Sequence, residues 1–176
     1  GPLNLRQRVV QETPTYRATE IILDALPGVI AQGVLLEPRT EPPNRAGKRP
    51  LIVLQHGLEG RPEVYFGQPP DSKDYATYRN FGETLLAAGF TVYCPQNPYQ
   101  GDFRRLQLLA HPRGLSLFSF IAAQSARTLD YLQTRPGIDP RRILYYGLSY
   151  GGATALRVPN FDPRFRAIVC AGNFND

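Results

Sequence analysis

Histidine is scarce in this chain: 176 residues contain two, His56 and His111. Chemistry that needs an imidazole has few candidates to draw on. Cysteine is equally scarce, and Cys94 and Cys170 both lie in apolar, strand-like runs, FTVYCPQ and AIVCAG. That placement reads as two buried free thiols rather than a disulfide framework. No stretch approaches the ~18 unbroken apolar residues of a membrane span. The net charge is +5 and the pI near 9.4, yet no run of five or six basic residues exists. Arg104, Arg105, Arg141, Arg142, Arg157, Arg164 and Arg166 are scattered, with no aromatic-and-basic strip to form a nucleic-acid groove. A solvated basic surface is the reading, with no nucleic acid among the expected partners. The start, GPLNLRQRVV, lacks the apolar core and small-residue site of a signal peptide. Gly1-Pro2 resembles the remnant of tag cleavage, so the compartment stays open.

With 42% hydrophobic residues the chain has enough apolar material for one packed domain. The 17 prolines and 16 glycines punctuate periodic segments rather than forming a low-complexity tract. TYRATEIILDAL and VIAQGVLLEP read as extended segments, and EPPNRAGKRP (41–50) as a polar turn. LIVLQHG (51–57) is a continuous apolar run closed by glycine, as in a strand buried on both faces. Tyr78, Phe81, Leu85 and Leu86 give helical spacing over 75–90, ending at Gly89. TVYCPQ is a further short strand, and 97–114 reads as irregular. The longest helical pattern covers 115–135, followed by RILYYG as strand, YGGATALRV as helix and FRAIVCAG as strand. Strands alternating with helices predict an α/β fold with a mostly parallel sheet and helices on both faces.

YYGLSYGGATALR places Ser149 between Gly147 and Gly151, after a buried strand and before a helix. A serine at a sharp strand-to-helix turn occupies strained backbone, and its neighbours two positions away must be small. Both glycines meet that need. The helix start behind it offers free N–H groups to an anion. About ninety residues upstream, LQHGLEG ends the central apolar strand with His56-Gly57.

Together LIVLQHGLEG, LLAAGFTVYCPQ, ARTLDYLQTRPGIDPRRILYYGLSYGGATAL and FRAIVCAG resemble the α/β-hydrolase superfamily, in its dienelactone hydrolase, acetyl xylan esterase and prolyl-oligopeptidase-like branch. The resemblance runs from about residue 30 to the end. It implies ester hydrolysis through an acyl-enzyme, with Ser149 as nucleophile and no metal or organic cofactor. Backbone N–H groups of Leu58 and Tyr150 are the implied oxyanion donors. The implied chain order is serine, acid, histidine. No histidine follows Ser149, and the acids there are Asp162, which reads as a turn residue, and Asp176, one crossover too early. The resemblance implies that His56, in the HG turn, supports the oxyanion loop, with a role as substitute base the alternative. His111 reads as a substitute base, a substrate contact or an exposed loop histidine.

The chain is therefore expected to be a single domain over 1–176, the N-terminal portion of a longer hydrolase lacking the last strands and helices. The acid and histidine then lie beyond residue 176. Glu59 is a candidate contact for a substrate hydroxyl, a counter-charge to an arginine, or a solvated loop acid. Asp102, Arg104 and Arg105 come after a strand end, where ligands sit in this fold class, and read either as contacts for an anionic or sugar-bearing ester or as a surface salt bridge. Tyr65, Phe66, Tyr99 and Phe103 either stack on a small-molecule or carbohydrate ester or pack beneath the loops. A non-catalytic binding or scaffold protein on the same fold is the alternative, and a serine peptidase a third.

Overall fold

The computed structural model describes residues 1–42 and 47–173. Asp176 and the middle of the polar turn at 41–50 lie outside them. Among the described residues, seven strands form one sheet: β1 (Arg6–Glu12), β2 (Tyr16–Leu26), β3 (Val29–Pro38), β4 (Arg49–Gln55), β5 (Thr91–Gln96), β6 (Ile138–Leu148) and β7 (Phe165–Ala171). Their order is β1-β2-β3-β5-β4-β6-β7. β5, β4, β6 and β7 run parallel, and β1, β2 and β3 add an antiparallel margin. Hence the expected α/β sheet is present, with its parallel half where the apolar runs predict it.

The interior strands bury both faces because successive side chains point to opposite sides. Leu51 and Val53 of β4 join one core with Tyr93, Tyr145 and the apolar stripe of α4 (Leu117–Leu132). Ile52 and Leu54 join the other with Val92, Cys94, Tyr65 and Leu86 of α2 (Phe81–Ala87). Helices therefore cover both faces. β1 was not anticipated: RQRVVQE is almost wholly exposed, and as an edge strand it needs no buried face. Its charges pair across the ladder instead, as in Arg8 with Glu20 at 2.6 Å.

Two further expectations are corrected. The helix read over 75–90 is two helices, α1 (Lys73–Tyr78) and α2, because Arg79 and Asn80 both adopt left-handed backbone with φ of 53° and 48°. The segment 97–114 is not irregular throughout: α3 (Phe103–Ala110) turns Phe103 and Leu106 onto the core and leaves Leu108 and Leu109 exposed. A last short helix, α5 (Tyr150–Ala155), comes directly after β6. Cys94 is buried and Cys170 half-buried, both as free thiols. They stand on β5 and β7, three strand spacings or ~14 Å apart, beyond disulfide reach.

Register at the carboxyl ends of the central strands brings two turns together. Gln55 at the end of β4 pairs with Gly147 near the end of β6. The turn carrying His56-Gly57 and the turn carrying Ser149 therefore leave the sheet side by side.

Candidate active site

Ser149 is the corner between β6 and α5. Its backbone has φ 57° and ψ −119°, a region L-residues rarely occupy. Hydrogen bonds on either side hold it there. The Ser149 N–H donates to the Ala171 carbonyl of β7 at 2.7 Å, and the Ser149 carbonyl accepts from the Ala153 N–H at 3.1 Å. The side chain is exposed, and its hydroxyl makes no hydrogen bond among the described residues. The flanking glycines are required sterically. A Cβ on Gly147 would overlap the Gly151 carbonyl, and one on Gly151 would overlap the Gln55 carbonyl and lie 2.7 Å from that of His56. Gly152 is nearly as close, with Ala171 O at 3.0 Å from a Cβ placed there.

The adjacent turn is held from below by His56, which is wholly buried. Its Nδ1 lies 2.7 Å from the Gly57 carbonyl, which only accepts, so Nδ1 carries the proton and Nε2 faces the Asn97 N–H at 3.5 Å. Burial pushes the His56 pKa down to about 4, partly opposed by the bond to Gly57. The ring is therefore neutral and already engaged. A Cβ on Gly60 would meet it at 2.8 Å, so the turn closes tightly over the imidazole. Tyr65 donates to the Gln55 carbonyl at 2.8 Å and fixes the end of β4. Beyond the turn, Leu58 and Glu59 are exposed, and Glu59 has φ 57°. The Glu59 N–H donates to the Tyr99 carbonyl at 3.2 Å. Among the described residues, the Leu58 and Tyr150 N–H groups donate to nothing.

A residue that the sequence assigned to packing belongs to this place. The Tyr78 hydroxyl accepts from the Gly57 N–H at 3.1 Å. A methyl placed on Gly57 would lie 3.2 Å from the Tyr78 oxygen and 3.4 Å from Ser149 Cβ. Tyr78 and Ser149 thus flank the same small space. A cleft of about 450 Å³ opens beside it, lined by Leu58, Glu59, Arg61, Lys73 and Tyr78 among others.

Other candidates fall elsewhere. Tyr99 is corrected from a substrate contact to a core residue: it is fully buried, its hydroxyl bonds Thr154 Oγ1 at 3.0 Å, and its ring meets Tyr150 edge-on. Tyr65 and Phe66 are likewise buried, and Phe103 packs against the core from partial cover. Arg104 is exposed on α3, with no ion pair among the described residues. His111 is exposed just after α3 and, among the described residues, bonds no group through its ring, so neither histidine reaches Ser149 with a hydrogen bond. Asp162 is a turn acid, as read from the sequence. It accepts from Arg164 at 2.6 Å, and although burial opposes ionisation, that guanidinium holds its carboxyl below the usual range. Among the described residues no cluster of His, Cys, Asp or Glu is spaced to hold a metal ion, and no helix is long and apolar enough to cross a membrane.

No protein-family profile matches the chain. Over 137 residues it is 26% identical to YtaP of Bacillus subtilis (strain 168), whose hydrolase name is provisional; the match takes 73% of this chain and 45% of that one. Acetyl xylan esterase 1 from Thermoanaerobacterium sp. JW/SL YS485 superposes with a TM-score of 0.69 at 18% identity, over 94% of this chain and 51% of that one. The acetyl xylan esterase from Paenibacillus sp. R4 does so with 0.66 at 21%, over 95% and 53%. This chain has the α/β-hydrolase fold. It spans less than half the length of the curated relatives it matches and about half of these two structures. Within the α/β-hydrolase fold, the turns after β4 and β6 lie at the carboxyl ends of parallel strands, where such sheets bind ligands.

Proposed function

We propose that the chain is the nucleophile-bearing portion of a serine esterase acting on small-molecule or carbohydrate carboxylic esters. One observation carries the reading: Ser149 is the exposed residue at a strained corner, beside two backbone N–H groups with no protein acceptor among the described residues. Strain of about 1–3 kcal/mol at a non-glycine residue persists only where the surroundings enforce it. Here it lifts a hydroxyl clear of the sheet.

In this reading Ser149 Oγ attacks the ester carbonyl carbon while a general base takes its proton. The carbonyl oxygen becomes an anion facing the amides of Leu58 and Tyr150. The alkoxide leaves with a proton returned by the base, and water then hydrolyses the acyl-enzyme by the same steps in reverse order. His56 does not fit as the base, since it is buried and its ring is spent on the turn. We assign the base and its acid to residues of the same protein beyond position 176, which makes 1–176 the N-terminal portion of one α/β-hydrolase domain. Glu59 and the cleft beside it suit the polar part of a substrate.

The unengaged Ser149 hydroxyl favours a second reading, a binding protein whose serine is idle. A fluorophosphonate probe separates the two. The full-length protein should be labelled at Ser149, hydrolyse p-nitrophenyl acetate, and lose both in Ser149→Ala. Labelling absent from the wild type, or hydrolysis undiminished in the alanine variant, overturns the esterase reading.

A further inference from the structure

Tyr78 is placed by two contacts and by the backbone that follows it. Its ring meets Tyr65 edge-on with centroids 4.9 Å apart. Its oxygen accepts the Gly57 N–H. The chain leaves it through two consecutive left-handed residues, Arg79 and Asn80, each of which costs about 1–2 kcal/mol for an L-residue, less for asparagine. The Asn80 side chain clasps Gln68 at both ends, accepting from its N–H at 3.0 Å and donating to its carbonyl at 3.1 Å. That clasp offsets the strain and fixes where α1 ends.

Phenylalanine at 78 would satisfy the ring contact equally well, so packing does not account for the hydroxyl. A phenol has one proton to give and lone pairs to receive. Here a lone pair takes the Gly57 N–H, and among the described residues the proton is given to no group. An accepted hydrogen bond fixes the oxygen and directs its proton away from the donor. The Ser149 side chain lies across the small space above Gly57, and the half-buried Tyr78 faces the cleft.

From this geometry we infer that Tyr78 is a catalytic hydrogen-bond donor: its hydroxyl joins the amides of Leu58 and Tyr150 in stabilising the oxyanion formed when Ser149 attacks an ester. The inference rests on the esterase reading and adds a side-chain donor to it. The serine proton goes to the general base, and the phenol keeps its own. The carbonyl π electrons move to oxygen as the Oγ–C bond forms, and the phenol O–H shares its hydrogen with that oxygen. Because this bond strengthens only as charge develops, its loss lowers kcat more than it raises KM.

The test uses the full-length protein and p-nitrophenyl acetate. Tyr78→Phe should lower kcat on the order of 10²-fold with KM little changed. A boronic acid that forms a tetrahedral adduct with serine should lose affinity by a similar factor, while a non-reactive ester analogue should not. An unchanged kcat in a folded Tyr78→Phe protein, or equal losses for both inhibitors, overturns the inference. If the phenylalanine variant does not fold, 4-fluorophenylalanine at 78 keeps nearly the same shape without the O–H. Its kcat and its affinity for the boronic acid should fall by the same factor; an undiminished kcat overturns the inference. Ser149→Ala run in parallel separates the cases: a dead alanine variant beside a fully active Tyr78→Phe removes only the donor role.

Discussion

Strain at Ser149 makes a prediction about stability that is independent of activity. Replacing Ser149 by alanine removes the hydroxyl but keeps a Cβ, and so keeps the strain of φ 57°, ψ −119°. Glycine at 149 removes both. Holding an L-residue in such a region costs about 1–3 kcal/mol, and glycine gives back roughly 0.5–1 kcal/mol through its freer unfolded chain. Because the side chain is exposed, little burial is lost in either variant. Ser149→Gly should therefore be more stable than Ser149→Ala by about 1–2 kcal/mol, although both lack the proposed nucleophile. For a chain of 176 residues that is roughly 2–8 °C in Tm, at about 2–4 °C per kcal/mol. Parallel thermal melts, with urea titrations if heating is irreversible, read the difference. A glycine variant that melts at or below the alanine variant refutes the strain, and with it the reason for placing a nucleophile at this corner.

The flanking positions behave oppositely. Gly151→Ala sets a methyl against the Gln55 and His56 carbonyls and should cost about 1–3 kcal/mol or more in urea, whereas Gly137→Ala, which meets nothing within 4 Å, should be near neutral. Equal midpoints for the two would show that the turns are not in close contact. Acid should expose His56. Its folded pKa of about 4 lies below the ordinary 6.5, so between these values the unfolded chain binds the proton and stability falls as pH falls. The loss approaches about 3 kcal/mol by pH 4, by 1.36 kcal/mol per unit, and should be absent from the pH dependence of His56→Asn. A variant with the same acid slope as the wild type would place the titrating group elsewhere.

Much of the fold was legible because burial writes itself into apolar runs. LIVLQ, TVYC and ILYY are interior parallel strands of the sheet, whereas FRAIVCA is the parallel edge strand and leaves Ile168 and Val169 exposed. β1 was not legible, since an edge strand can be polar throughout and its pairing depends on partners far along the chain. The break at Arg79-Asn80 escaped because the apolar spacing of Tyr78, Phe81 and Leu85 continues across it. Asn80 was the available signal, as asparagine tolerates left-handed backbone. At the site, the glycine pattern around Ser149 and the HG turn were readable because steric exclusion leaves a mark on residue type. Tyr99 and Tyr78 were not, for an aromatic residue carries no sign in the sequence of whether its hydroxyl meets the core or the cleft.

What joins the two turns is register. With Gln55 opposite Gly147, the chain leaving β4 passes so close to α5 that position 151 tolerates no side chain. A slip of one residue between β4 and β6 would turn every side chain of one strand to the wrong face, exchanging Leu51 and Val53 with Ile52 and Leu54 between two filled cores. The apolar pattern of the strands thus fixes the alignment, and the alignment brings Gly57 against Ser149. The amides of Leu58 and Tyr150 and the Tyr78 hydroxyl are held beside the corner by the same packing. Loosening the core beneath, for instance with Leu54→Ala, acts on the site through this alignment rather than through any contact with substrate.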